Sequence, residues 1–369
     1  MNRWIRWTAS GVIAVGAAAA RGQQPTTLGA MASRWLEDSR GLAAATWDKA
    51  KMEAAALKAR AAEEAAKVER PRGVRLLDPA DPGHLEWREF GPAAPARIVL
   101  LVHGLDEPGD IWDDLAPALA RAGYAVARFD YPNDQHIADS AALLGDWMHR
   151  LRGAGATRVD LVCHSMGGLV ARDALTRPEV YAGRTRAHDG LPDVRRLILL
   201  GTPCAGSPWT GLEAVAELRE DVVRFAQSQG HDWRELLGLF RENRAGAAED
   251  LAPGSDFLKN LDARAWPEGV AITVVVARIV PPQSVPGAKE DLAAKLGDGI
   301  VPEASATPTG VSDLVHITAN HRGMVRYGTA ERAARALAGQ KDLTSPAIPV
   351  VLDRLARPDE PPAPVGDHN

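Results

Sequence analysis

The sequence predicts an α/β fold, a mostly parallel sheet flanked by helices, with a helical cap inserted in its second half. Three observations predict it. Strand-length apolar runs alternate with helix-patterned segments from about residue 97 onward. The run Ile98-Val99-Leu100-Leu101-Val102 is apolar without alternation, as a parallel strand covered on both faces requires. A third run, Val159-Asp160-Leu161-Val162, leads through Cys163-His164-Ser165-Met166-Gly167-Gly168 into a helix-like segment. That is a strand, a sharp turn carrying a serine, and a helix.

The bulk properties set the frame. A chain of 369 residues can bury a large core in one or two domains. Its net charge of −5, with no basic face visible, argues against nucleic-acid binding. Two cysteines, Cys163 and Cys204, make neither a disulfide framework nor a zinc cluster.

In chain order, Met1 to Trp7 is short and positive, and Thr8 to Ala20 is small and mostly apolar. The pair reads as an export signal over residues 1–20, cut after Ala20, which places the protein in the periplasm or outside the cell. An uncut segment would act as an N-terminal anchor and associate the protein with a membrane surface. Residues 21–71 form a helical spacer, because the Ala-, Glu-, Lys- and Arg-rich stretch from Met31 to Glu69 holds no proline. Pro71 ends it.

The main domain covers residues 72–340. Val74 to Leu77 and Leu85 to Phe90 alternate as half-buried strands. After the Ile98 strand come a helix over Ile111 to Ala122, a strand over Ala125 to Phe129 and a helix over Ser140 to Leu151. The serine-bearing strand and helix follow, then strands at Leu197 to Leu200 and Ile272 to Val276, and a last helix over Thr329 to Ala338. Between residues 207 and 261 the alternation breaks, and Trp209, Leu212, Val215, Trp233, Leu236, Leu237, Leu239 and Phe240 suit a helical cap. The Pro-rich stretch 341–369 reads as a mobile tail.

The chemistry centres on Ser165. A serine hydroxyl attacks a carbonyl only when a base takes its proton and an acid orients that base. Downstream lie Asp298, in Gly297-Asp298-Gly299-Ile300-Val301-Pro302, and His321, ahead of the last expected helix. Asp250 and Asp256 are rival acids, and His316, in the apolar Leu314-Val315-His316-Ile317, is a rival base. Upstream, His103-Gly104-Leu105 ends a buried strand, so the N–H groups of Leu105 and Met166 are candidates for an oxyanion hole. His103 and His164 read as shaping residues, and their spacing suits no metal site. Cys163 stands where the G-x-S-x-G pattern has its first glycine. A small buried thiol fits there, and a bridge to Cys204 is geometrically demanding.

With these pieces in order, the chain resembles the serine lipases and esterases of the α/β-hydrolase fold, nearest to bacterial lipases and the inositol-deacylase-like group. The matching pieces are His103-Gly104-Leu105, Cys163 to Gly168, Gly201-Thr202-Pro203-Cys204-Ala205-Gly206-Ser207, Asp250-Leu251-Ala252-Pro253-Gly254-Ser255, Asp298 to Pro302, and His321. The resemblance implies Ser165 as nucleophile, His321 as base and Asp298 as its partner. It also implies a small-molecule or lipid ester substrate, cleaved through an acyl-enzyme without a cofactor. Acyl transfer, amide or thioester cleavage, and a binding module without turnover are the other readings. The oligomeric state is not legible in the sequence.

Overall fold

A computed structural model of the chain describes residues 72–78, 85–105, 109–181, 190–207, 245–279, 294–328, 332 and 344–358. The chain divides into two units, Met1–Arg70 and Pro71–Asn369, and every described residue belongs to the second. The expected signal, the spacer, most of the cap, the last expected helix apart from Arg332, and the end of the tail lie outside the described residues.

The described strands are β1 (Gly73–Leu77), β2 (Trp87–Glu89), β3 (Arg97–Val102), β4 (Val126–Asp130), β5 (Arg158–His164), β6 (Asp193–Leu200), β7 (Ala271–Arg278) and β8 (Asp313–Thr318). They form one sheet in the order β2-β1-β4-β3-β5-β6-β7-β8. The pairings β1–β2 and β1–β4 are antiparallel, and the others are parallel. The chain order thus reverses at β3, which has β4 on one side and β5 on the other. In open parallel sheets the crevice beyond the carboxyl ends of two such strands is where ligands bind.

The described helices are α1 (Leu115–Arg121), α2 (Ile137–Gly153), α3 (Met166–Thr176), α4 (Ala245–Leu251), α5 (Asp256–Asp262), α6 (Glu303–Ala306) and α7 (Ala347–Ala356), with a 3-10 turn at Asp110–Trp112. Side chains alternate across the strands, so the strands inside the sheet feed two cores. From β3, Ile98, Leu100 and Val102 join the core under α2 and α3, and Val99 and Leu101 join the core under α1 and α7. Strands buried on both faces need no polar positions, and this explains the uninterrupted apolar runs in the sequence.

Two sequence expectations change. The tail does not begin at residue 341: α7 buries Ala347, Ile348, Val351 and Leu355 in the second core. Pro346 sits at its N-cap, where a proline does not disturb helical hydrogen bonds, so a proline-rich composition concealed a core helix. Arginines secure its end. Arg97 donates to the Leu355 carbonyl, Arg196 to those of Arg357 and Pro358, and both pair with Asp160, buried in β5. The last limb of the expected cap insert likewise belongs to the body. Ala247 and Leu251 of α4, with Leu258 and Leu261 of α5, lie in the first core. Among the described residues no helix is long and apolar enough to cross a membrane.

Candidate active site

Strand β5 ends at His164, and α3 begins at Met166, leaving Ser165 alone to turn the chain. Ser165 takes φ 55° and ψ −132°, the one positive φ outside glycine among the described residues. A non-glycine residue so placed carries strain of about 1–3 kcal/mol, which packing must offset. Here the Ser165 N–H donates to the Leu200 carbonyl at 2.9 Å, and the Ser165 carbonyl accepts from Gly168 N–H at 3.0 Å. The first turn of α3 then passes so close to its neighbours that side chains are excluded. A β-carbon on Gly167 would strike the carbonyls of Val102 and His103, and one on Gly168 would strike Thr202. The Met166 N–H, first in its helix, has no acceptor within that helix.

His321 and Asp298 meet beside this turn. His321 Nδ1 lies 2.7 Å from Asp298 Oδ2, and both residues are buried. Asp298 Oδ1 accepts from Ile300 N–H at 3.0 Å and Val301 N–H at 2.8 Å, so the carboxylate is fixed with its other oxygen toward the imidazole. A carboxylate oxygen accepts hydrogen bonds, so Nδ1 is the nitrogen that donates in this contact. The main chain repeats the link, with the His321 N–H donating to the Asp298 carbonyl at 3.0 Å.

His164 connects this pair to the serine turn. Its Nε2 lies 2.9 Å from the His321 carbonyl, and the two rings are tilted against each other with centroids 4.6 Å apart. The backbone of His321 is thereby held from both sides by residues of the site. Sequence reading gave His164 a shaping role without locating its partner, because the contact spans 157 residues of chain.

The rivals are engaged elsewhere. His316 Nε2 pairs with Glu303 Oε1 at 3.1 Å on the edge strand β8, with its side chain 47% exposed. Asp250 Oδ2 accepts from Ile137 N–H at 2.7 Å at the start of α2, and its Oδ1 meets His136 Nδ1 at 3.2 Å. Asp256 is exposed and pairs with Lys259. Leu105 is half-buried at the end of the β3 turn, beside Gly104 and His103, whose ring stacks on Tyr131 at 4.4 Å. Cys163 and Cys204 are free and buried. Burial pushes the Cys163 thiol far up and the Cys204 thiol up to about 12, so both stay protonated. Among the described residues no group of three or more His, Cys, Asp or Glu could hold a metal ion.

A mostly parallel sheet flanked by helices on both faces is the architecture of a known class of protein, and family comparison agrees with it. Residues 99–355 match the alpha/beta hydrolase family, and the chain belongs to it. No curated protein matches the chain. Among solved structures it is similar to the mature form of the Bacillus licheniformis lipase BlEst2, at 20% identity and a TM-score of 0.45, covering 68% of this chain and 94% of that one. It is also similar to phospholipase PlaB from Legionella pneumophila, at 16% identity and a TM-score of 0.47, covering 72% and 60%. A third is EstA from Clostridium botulinum, at 13% identity and a TM-score of 0.40, covering 69% and 88%.

Proposed function

We propose that the protein is a serine hydrolase of carboxylic esters in which Ser165 is the nucleophile, His321 the base and Asp298 its orienting partner. The observation that carries the reading is the 2.7 Å contact between His321 Nδ1 and Asp298 Oδ2, beside the one strained serine of the described backbone. In this mechanism His321 Nε2 takes the Ser165 proton while Oγ attacks the ester carbonyl carbon. The carbonyl oxygen becomes an oxyanion held by the N–H groups of Leu105 and Met166. As the tetrahedral intermediate collapses, the ester C–O bond breaks and His321 hands its proton to the leaving alcohol. Water, deprotonated by His321, then attacks the acyl carbon; the bond from that carbon to Ser165 Oγ breaks, His321 returns its proton to Oγ, and the acid is released.

Lipid or other acyl esters are the favoured substrates. Support comes from the apolar residues Trp209, Leu212, Trp233, Leu236 and Phe240, which follow in sequence the carboxyl end of β6, the edge where the serine turn lies. The amino-terminal sequence supports action after export, at or near a membrane surface.

A fluorophosphonate probe tests the reading. Wild-type protein should be labelled and should hydrolyse p-nitrophenyl esters, and Ser165→Ala should do neither. His321→Ala and Asp298→Asn should each lower kcat by on the order of 10⁴-fold. Equal labelling of wild type and Ser165→Ala would sink the proposal. A product assay with a competing alcohol separates hydrolysis from acyl transfer.

A further inference from the structure

We propose that Tyr131 and Asn133 are positioning residues for the oxyanion hole, holding the turn after β3 so that the Leu105 N–H is aimed at the reacting oxygen. The inference rests on the serine-hydrolase reading above. Both residues lie just beyond β4, the strand beside β3, and both are buried. Tyr131 Oη donates to the His103 carbonyl at 2.6 Å, and Asn133 Nδ2 donates to the Gly104 carbonyl at 3.2 Å. His103 Nδ1 lies 2.9 Å from the same Gly104 carbonyl. A carbonyl oxygen only accepts, so Nδ1 is protonated and donates there as well.

The consequence follows from peptide geometry. In a planar trans peptide the C=O and the following N–H point in opposite directions. Anchoring the Gly104 oxygen on the Asn133 and His103 side therefore directs the Leu105 N–H the other way. Glycine at 104 adds its own need for an anchor, since its backbone rotates with little steric resistance. Tyr131 is itself well fixed, stacked on His103 at 4.4 Å and on Phe129 at 5.1 Å. Two consecutive carbonyls are thus held by two polar side chains of one neighbouring segment. An oxyanion hole needs that rigidity, because its donors act by being in place before charge develops.

The test uses Asn133→Asp, which puts an acceptor against the Gly104 carbonyl, and Tyr131→Phe, which removes one hydroxyl and keeps the stacked ring. The readouts are kcat and KM on a p-nitrophenyl ester, melting temperature, and affinity for an alkyl trifluoromethyl ketone. The hemiketal of that ketone with Ser165 places an oxyanion in the hole. Losing an oxyanion donor outright costs about 10²–10³-fold, so a misaimed one should lower kcat by roughly 10- to 100-fold. KM should stay near wild type, and ketone affinity should fall by the same factor as kcat. Tyr131→Phe should show the smaller effect in the same pattern, and it decides the matter if Asn133→Asp does not fold. A lower melting temperature with wild-type kcat and ketone affinity would overturn the proposal, leaving two ordinary core hydrogen bonds. Ser165→Ala run in parallel keeps the two failures apart. Full turnover there overturns the hydrolase reading and this inference together, whereas an inactive Ser165→Ala beside a fully active Tyr131→Phe and Asn133→Asp overturns the brace alone.

Discussion

Gly201 stands against the Asp298 carboxylate so closely that a β-carbon there would lie 3.0 Å from Oδ2 and 3.3 Å from Nδ1 of His321. It also takes φ 58°, where an alanine is strained by about 1–2 kcal/mol. Gly201→Ala should therefore do two things. Strain should lower the melting temperature by a few degrees. The added methyl should also press on the Asp298–His321 pair, which the proposed mechanism uses as orienter and base, and displacing such a group by about 1 Å can cost 10²-fold. The expected result is a kcat at least about tenfold down at temperatures where the variant is fully folded. A kcat at the wild-type level would mean that the pair yields without consequence.

Cys163 occupies the first-glycine position of the serine-turn pattern and lies in the core under α2 and α3. Its side chain belongs to packing, so Cys163→Gly should leave ester turnover within about twofold of wild type. Stability should suffer instead. The lost buried group and the added backbone freedom together cost about 1–3 kcal/mol. Thermal unfolding alongside kcat checks both halves, and a large fall in kcat with little loss of stability would overturn the assignment. With its thiol held protonated by burial, Cys163 should also resist a thiol reagent until the protein unfolds.

Much of the fold was legible because strand segments covered on both faces are apolar in runs, as at Ile98 to Val102 of β3, Leu197 to Leu200 of β6 and Val274 to Ala277 of β7. Ser165 was legible because a strand leading directly into a glycine-flanked helix is a local signal. The pairing of His321 with Asp298 was open in the sequence, since 23 residues separate them and other acids and another histidine competed. Tyr131 and Asn133 gave no local signal. Their role is to touch carbonyls 28 and 29 residues away, and no spacing rule encodes such a contact. For Gly201 a signal existed in the Gly201-Thr202-Pro203 stretch, but only the packed structure shows what its missing side chain makes room for.

The carboxyl-terminal helix should prove necessary for folding. Burying Ile348, Val351 and Leu355 is worth about 1.5–3 kcal/mol each, or roughly 5–9 kcal/mol together. That is comparable with the whole stability of about 5–15 kcal/mol expected of a domain. Its removal would also strip the carbonyl acceptors from Arg97 and Arg196 around buried Asp160. A chain ended after residue 343 should lose its cooperative thermal transition and go into aggregates. A melting temperature within a few degrees of the full chain would show the helix to be dispensable.

The limb of chain returning from the insert is fastened by a pair whose strength should depend on pH. Asp250 of α4 accepts from the first N–H of α2 and pairs with His136 beside it, while Gly246 packs directly on the backbone of Gln135 and His136. The hydrogen bond and charge of Asp250 raise the His136 pKa above its ordinary value, with Glu249 and Asp139 adding to the same effect. A histidine whose pKa is higher folded than unfolded stabilises the protein fully below the unfolded value, near 6.5, and ceases to do so as pH rises through the folded value. The melting temperature of wild type, measured against that of His136→Gln, should therefore be relatively highest below about pH 6 and decline through the region just above 6.5. Asp250→Asn should abolish this differential and lower stability at every pH, because it also weakens the cap of α2. If the difference between wild type and His136→Gln does not change with pH, His136 titrates alike in both states and the pair is no more than a neutral contact.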